Sequence, residues 1–215
     1  LRDPNITANA VYKFFPCNSS GEELHVYGPN RGSIVEKFRF GRQGQQDGLC
    51  LAGYARPATS GEGDFIGAFV TTIGPGVRDL ADNWKNKGDY LNSHILQSLA
   101  IEGAEAFAEL LHQEIRRMWG FKDQEGTAFE DLFRAQYRGR RYSFGYPACP
   151  RLDDQRPLFR MLKPTTTIGV ELTDGFMMDP EASVSALVFH HPDAKYFNLS
   201  ELDQERLEKR LDPGS

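Results

Sequence analysis

Apolar and polar positions divide the chain into a block of strands, a block of helices and a closing block of strands. Residues 9–15 and 23–27 are β-prone and flank Asn18-Ser19-Ser20-Gly21, which predicts a hairpin turn. Residues 34–40 mix apolar and charged positions in near-alternation, as a half-buried strand does. Two further strands are predicted over 49–54 and 64–72. In the second, Phe65-Ile66-Gly67-Ala68-Phe69-Val70 is almost continuously apolar, the pattern of a strand covered on both faces.

Helices are predicted next, over 77–86 and 90–119. In the longer one Ile95, Leu99, Gly103, Ala106, Leu110 and Leu111 recur at helical spacing, and Gly120 is placed as its stop. A shorter helix over 128–137 opens on Thr127, with Glu130 completing a capping-box pattern. Another covers 154–162 and ends before Pro164. Strands over 167–172 and 183–190 follow, then a charged helical tail from Leu199. Regular βαβ alternation is absent. The expected fold is therefore α+β: a twisted antiparallel β-sheet with a long central helix and flanking helices. No repeat or linker divides the chain, so residues 1–215 are read as a single domain.

Composition narrows the function. With 40% hydrophobic and 26% charged residues, the chain is globular rather than disordered. A net charge of −5 counts against nucleic acid as a partner. No apolar run approaches the ~20 residues of a membrane span, and the N-terminus lacks a secretory pattern. Three widely spaced cysteines fit a reducing compartment, so a cytoplasmic protein is expected. The chain begins with Leu1 and is read as a piece of a longer polypeptide.

The most unusual stretch is Arg140-Arg141-Tyr142-Ser143-Phe144-Gly145-Tyr146-Pro147-Ala148-Cys149-Pro150. Two prolines around Ala148-Cys149 forbid a helix there, and Gly145 permits close backbone approach. Arg141 offers a fixed fork of donors suited to a carboxylate. Such a loop fits either a site for a zwitterionic ligand or an ordered connection whose aromatics pack into the core. The residues alone leave both open.

Other candidates read more simply. Glu102, Glu105 and Glu109 form an acidic stripe on the long helix, the mark of a solvated face. His190 and His191 point to opposite faces of a strand end and make a poor chelate, so no metal site is predicted. Cys149 has no base placed beside it and reads as a structural thiol. Hence no catalytic side chain is assigned. Arg134, Arg138, Arg140, Arg141 and Arg151 concentrate positive charge, either a solvated patch or a docking surface for an acidic donor. The absence of Gly-x-Gly-x-x-Gly after a strand counts against a Rossmann methyltransferase.

The segment from Arg141 to Pro150 resembles the S-adenosylmethionine (AdoMet) signature of the activation domain of cobalamin-dependent methionine synthase. Further segments resemble that family in the same order: 64–69, 104–109 with Leu111-His112, 171–173, 182–185 and 191–197. The resemblance implies the fold of that domain and a role in reductive re-methylation of inactive cob(II)alamin. It implies AdoMet contacts from Arg141 to the ligand carboxylate and from Gly145 and Ala148 through backbone. Tyr146 matches an aromatic near where the corrin docks, Tyr196 and Phe197 an aromatic pair lining the ligand, and Glu105 an acidic residue facing it. On this implication Glu105 is a site residue, while Glu102 and Glu109 stay on the surface. One departure is Ala135, where the family can carry a Glu; another is that no N-terminal Asp clearly matches one that contacts AdoMet.

The implied partners are the cobalamin-binding domain of the same polypeptide and a flavodoxin-type or diflavin reductase. Cobalamin would be bound by the neighbouring domain, and zinc would belong only to another domain of the full enzyme. The whole enzyme is a methyltransferase acting in methionine biosynthesis; this piece alone is not expected to turn over. The competing reading is a non-catalytic AdoMet-sensing or partner-binding module related to the activation domain.

Overall fold

The computed structural model describes residues 6–44, 48–121, 123 and 134–211. Its centre is a six-stranded sheet built from β1 (Asn9–Ser20), β2 (Glu23–Tyr27), β3 (Ile34–Arg39), β4 (Asp64–Thr72), β5 (Arg140–Tyr142) and β8 (Ser183–Phe189). The order is β3-β2-β1-β4-β8-β5, and every adjacent pair is antiparallel. A two-stranded ribbon of β6 (Glu171–Leu172) and β7 (Met178–Asp179) stands apart. The helices are α1 (Val77–Asn86), α2 (Tyr90–Met118), α3 (Gln155–Leu162), α4 (Pro164–Ile168) and α5 (Glu201–Leu211).

At β4 and β8 both faces of the sheet are covered, and strand alternation assigns each residue its side. All seven residues of β8 are buried. Val184, Ala186 and Val188 join Phe69 in a core beneath α2, whereas Leu187 and Phe189 join Ile66, Ala68 and Val70 in the opposite core. That second core also holds Phe38, Phe40, Tyr54, Leu158 and Leu162, so α3 and the segment after β3 cover the far face.

The long helix packs through small residues. Asp89 caps it by accepting from the Asn92 amide at 3.3 Å. Ala100, Ala104 and Ala108 form a buried i, i+4 row against β4 and β8, which lets the helix axis come close to the sheet. This corrects the apolar seam expected from the sequence: Ile95, Leu99 and Leu110 are 44%, 62% and 56% exposed. Size misled the pattern, because close approach to a sheet selects alanine over leucine.

The strand over 64–72 and the helix over 77–86 form as expected, and the tail is helical as α5. Three expectations are corrected. Residues 51–54 form a 3₁₀ turn rather than a strand, closed by Gly53 N–H to Cys50 O and Ala55 N–H to Ala52 O at 2.9 and 3.1 Å. A short apolar run does not distinguish a strand from a buried turn. Residues 164–168 are helical, because Pro164 sits in the first turn and the Thr166 and Thr167 hydroxyls donate back to Lys163 O. Only Glu171–Leu172 of the expected strand over 167–172 is extended. The first hairpin turns two residues later than Asn18–Gly21 suggested, since β1 continues to Ser20 and pairs it with Glu23. Buried Asn18 donates to the carbonyls of Arg56 and Glu62, and buried Ser19 to that of Ala55, so the 55–62 segment satisfies both side chains inside a strand. The helix expected over 128–137 lies largely outside the described residues; Arg134 and Ala135 at its end form a turn. Among the described residues no helix is long and apolar enough to cross a membrane.

Candidate functional site

β5 is three residues long and pairs with the end of β8: Arg140 with Phe189, Arg141 with Val188, Tyr142 with Leu187. Alternation sends neighbours to opposite faces. Tyr142 therefore enters the core of Tyr54 and Phe189, with ring centroids 6.1 and 5.7 Å away. Arg141 shares the face of Val188, the face that α2 covers, and it meets α2 directly. Its Nη2 donates to Glu105 Oε2 at 3.1 Å and its Nε to Glu109 Oε2 at 3.4 Å. Burial opposes the charge on Arg141, but Glu105 and Glu109 outweigh it and raise the guanidinium above its ordinary range.

After β5 the chain makes a tight loop. The Cys149 amide donates to Tyr146 O at 2.8 Å. Gly145 has φ +84°, and a Cβ there would meet Leu152 Cδ2 at 2.9 Å. Cys149 is fully enclosed, and burial pushes its thiol well above its usual value, as a structural thiol requires. The 195–199 segment is tied to this loop from two sides. Tyr142 Oη and Tyr54 Oη donate to Lys195 O at 2.8 and 3.2 Å, and the Leu199 amide donates to Pro147 O at 3.1 Å.

Between loop, segment and helix lies an open cavity of about 310 Å³. Glu105, Arg141, Tyr146, Ala148, Tyr196 and Phe197 all line it. Six of the seven residues singled out in the sequence thus meet in one wall; Gly145 stands behind the wall and shapes the turn. Phe197 and Ala148 are buried, whereas Tyr146 and Tyr196 are more than half exposed and flank the mouth. Partial desolvation of its hydroxyl end raises the Tyr196 phenol, against Arg141 and Arg140, which lower it.

The sequence reading missed Tyr142, Ser143, Pro147 and Asn198 in the lining. It also placed Glu109 on a solvated face, and this is corrected by its pairing with Arg141. No local signal joins positions 32 residues apart. The five arginines do not act as one patch. Arg151 pairs with Asp153 and Asp154, Arg140 Nη1 turns back to Gly139 O at 2.6 Å, and Arg134 and Arg138 remain exposed. His190 and His191 diverge as alternation requires: His190 pairs with buried Asp64 at 2.6 Å, and His191 packs on Tyr54. Among the described residues no cluster of three or more His, Cys, Asp or Glu side chains is arranged to hold a metal.

With this geometry, comparison with known proteins is decisive. The family model described as the vitamin B12 dependent methionine synthase activation domain matches residues 1–211. The chain belongs to this family. Methionine synthase of Mycobacterium tuberculosis (strain ATCC 25618 / H37Rv) is 34% identical over 204 residues, which is 89% of this chain. That of Mycobacterium leprae (strain TN) is 33% identical over the same share. The activation-domain chain spans 17% of the length of these relatives. A crystal structure of the MetH reactivation domain bound to AdoHcy superposes with a TM-score of 0.90 at 34% identity, covering 99% of this chain and 68% of the other. The α+β fold is therefore that of a methionine synthase activation domain.

Proposed function

We propose that residues 1–215 form one binding domain that holds AdoMet in the Arg141 cavity and presents its methyl group for reductive re-methylation of cob(II)alamin within a methionine synthase. The observation that carries this reading is Arg141 in the cavity wall, its guanidinium held by Glu105 and Glu109 with Nη1 unpartnered among the described residues. A carboxylate is the natural partner of that edge. The relative bound to AdoHcy, which is AdoMet without the transferred methyl, supports the same assignment.

The residues fit such a ligand in kind. Arg141 takes the carboxylate, Glu105 faces the ammonium, and Ala148, Phe197, Tyr196 and Tyr146 offer apolar and aromatic wall to the nucleoside. Cobalamin, held by a neighbouring domain of the full enzyme, supplies the methyl-accepting centre when bound. This chain's own residues bind, orient and exclude water, and no side chain is asked to move a proton. Methyl transfer belongs to the whole cytoplasmic polypeptide; the isolated chain binds without turnover. A flavodoxin-type or diflavin reductase supplies the electron, and Arg134 and Arg138, exposed in the turn leading into β5, suit an acidic donor.

Calorimetric titration of this chain with AdoMet and AdoHcy tests the reading. Saturable one-site binding of AdoMet is expected, with ~2.7 kcal/mol of added stability at ~100 times its dissociation constant. No heat and no thermal shift at millimolar AdoMet would overturn it.

A further inference from the structure

Arg141 meets the cavity with part of its donor set already committed. Nε is engaged by Glu109 and Nη2 by Glu105, two carboxylates four residues apart on one face of α2. A single carboxylate on Nη2 would leave the guanidinium free to swing about that contact. Two carboxylates, on Nε and Nη2, fix its plane and leave Nη1 as the donor without a protein partner among the described residues.

The two glutamates are held differently. Glu105 is 41% exposed at its side chain and lines the cavity. Glu109 does not line it, and it leans on a buried support instead. Its Oε1 lies 3.9 Å from Arg116 Nη1 and 4.0 Å from His112 Nδ1, and both of those side chains are essentially fully buried. Arg116 is itself clamped by Asp123, at 3.1 Å from Nε and 2.6 Å from Nη2, and stacks 3.7 Å from the Tyr137 ring centroid. Charges alternate along Asp123, Arg116, Glu109 and Arg141, from the interior of the domain to the cavity. Burial, with Arg116 and Arg141 beside it, holds the His112 pKa well below its ordinary value. Neutral His112 adds no competing cation to Glu109.

We propose that Glu109 is a positioning residue for the ligand's carboxylate: it locks the Arg141 guanidinium so that the Nη1 edge faces the cavity. The proposal rests on reading the cavity as the AdoMet site. Glu109 touches Arg141 and not the ligand, so its effect is confined to ligands that carry the carboxylate.

The test compares AdoMet with decarboxylated AdoMet, by calorimetry, on wild type, Glu109→Ala and Glu109→Gln. Glu109→Ala is expected to weaken AdoMet about tenfold and Glu109→Gln, which keeps an acceptor, by less. The decarboxylated ligand is expected to change less than about twofold in either variant. In an Arg141→Ala background, Glu109→Ala should cost AdoMet nothing more, since the two residues act as one unit. A purely electrostatic role predicts the reverse order, because the decarboxylated ligand is the more cationic. Equal weakening of both ligands, or no weakening of AdoMet, overturns the proposal. Should Glu109→Ala not fold, Glu109→Gln and the Arg141 Nε–H resonance of the unliganded protein carry the test. That resonance should lose protection from solvent exchange in the variant, and an unchanged resonance overturns the proposal without any ligand. Wild type that fails to bind AdoMet defeats the site reading itself, a result distinct from any variant-specific outcome.

Discussion

The amide of Gly145 donates to the carbonyl of Cys149 at 2.8 Å. This bond closes the loop that sets Ala148 in the cavity wall, and it is made with Gly145 at φ +84°. A side chain there is strained twice, by the left-handed backbone and by Leu152 Cδ2 at 2.9 Å from the new Cβ. Gly145→Ala should destabilise the chain by ~1–3 kcal/mol. AdoMet affinity should fall as well, because the loop itself shifts. Thermal melts with and without AdoMet check both effects; an unchanged melting point would mean that the loop yields easily.

Arg141 and Arg138 lie three residues apart but face different surroundings. Arg141 is mostly buried between Glu105 and Glu109, whereas Arg138 is exposed and donates to His190 O at 2.9 Å. Arg141→Ala should weaken AdoMet by ~2–5 kcal/mol. Arg138→Ala should leave it nearly unchanged. Titration of both variants decides, and equal losses would put the ligand elsewhere.

His112 gives the stability a pH signature. It is buried, and its pKa in the folded chain is well below the ordinary 6.5. Below pH 6.5 the unfolded chain takes up a proton that the folded chain refuses. Stability is therefore fully present above that value and lost as pH falls. Asp154 acts in the opposite sense: burial lifts its carboxyl to about 6, so the folded chain is protonated first. His112→Phe keeps an aromatic edge against Tyr137 while removing the titration. Melting points measured from about pH 8 to about pH 5 should fall more steeply in wild type than in the variant. Parallel curves would remove His112 from the account.

Electron delivery should depend on salt. If an acidic donor is steered by Arg134 and Arg138, its approach is screened over ~8 Å at physiological ionic strength. Reactivation by the full-length enzyme should slow as salt rises. Reversing both residues to Glu should slow it further without changing AdoMet affinity. Reactivation rates of wild type and double variant across ionic strength provide the check; a flat response in both would reduce the pair to a solvated surface.

Local signals carried the sequence reading a long way and failed where contact is distant. The apolar run from Phe65 to Val70 and the helix predicted over 77–86 match β4 and α1. The stretch from Arg140 to Pro150 is legible because its residue types are unusual together, whereas Tyr196, Phe197 and Glu105 enter only through the family resemblance; they meet Arg141, Tyr146 and Ala148 in the cavity wall. The register of α2 was not legible, since its buried face is written in alanines that every scale ranks below Leu99 and Leu110. Nor was Asn18 or Ser19, whose polar side chains look like turn residues until the 55–62 carbonyls arrive to satisfy them. Glu109 looked like any solvated glutamate because its partner comes from a strand 32 residues away.

Arg141 rides on β5, which has three residues and, among the described residues, lies at the edge of the sheet with β8 as its one strand neighbour. So short an edge strand has little to resist fraying, and local opening there should need far less free energy than unfolding the two cores. The ion pairs from Arg141 to α2 act as a latch across that seam. On the proposed site, a ligand carboxylate at Nη1 would fasten the latch from the solvent side, so occupancy and the persistence of the strand should rise together. Amide exchange at 140–142 should be the first to slow when AdoMet is added, ahead of β4 or β1. A ligand held at Arg141 would thus be met by the margin of the sheet, where the backbone is easiest to lose and where a bound molecule has most to hold in place.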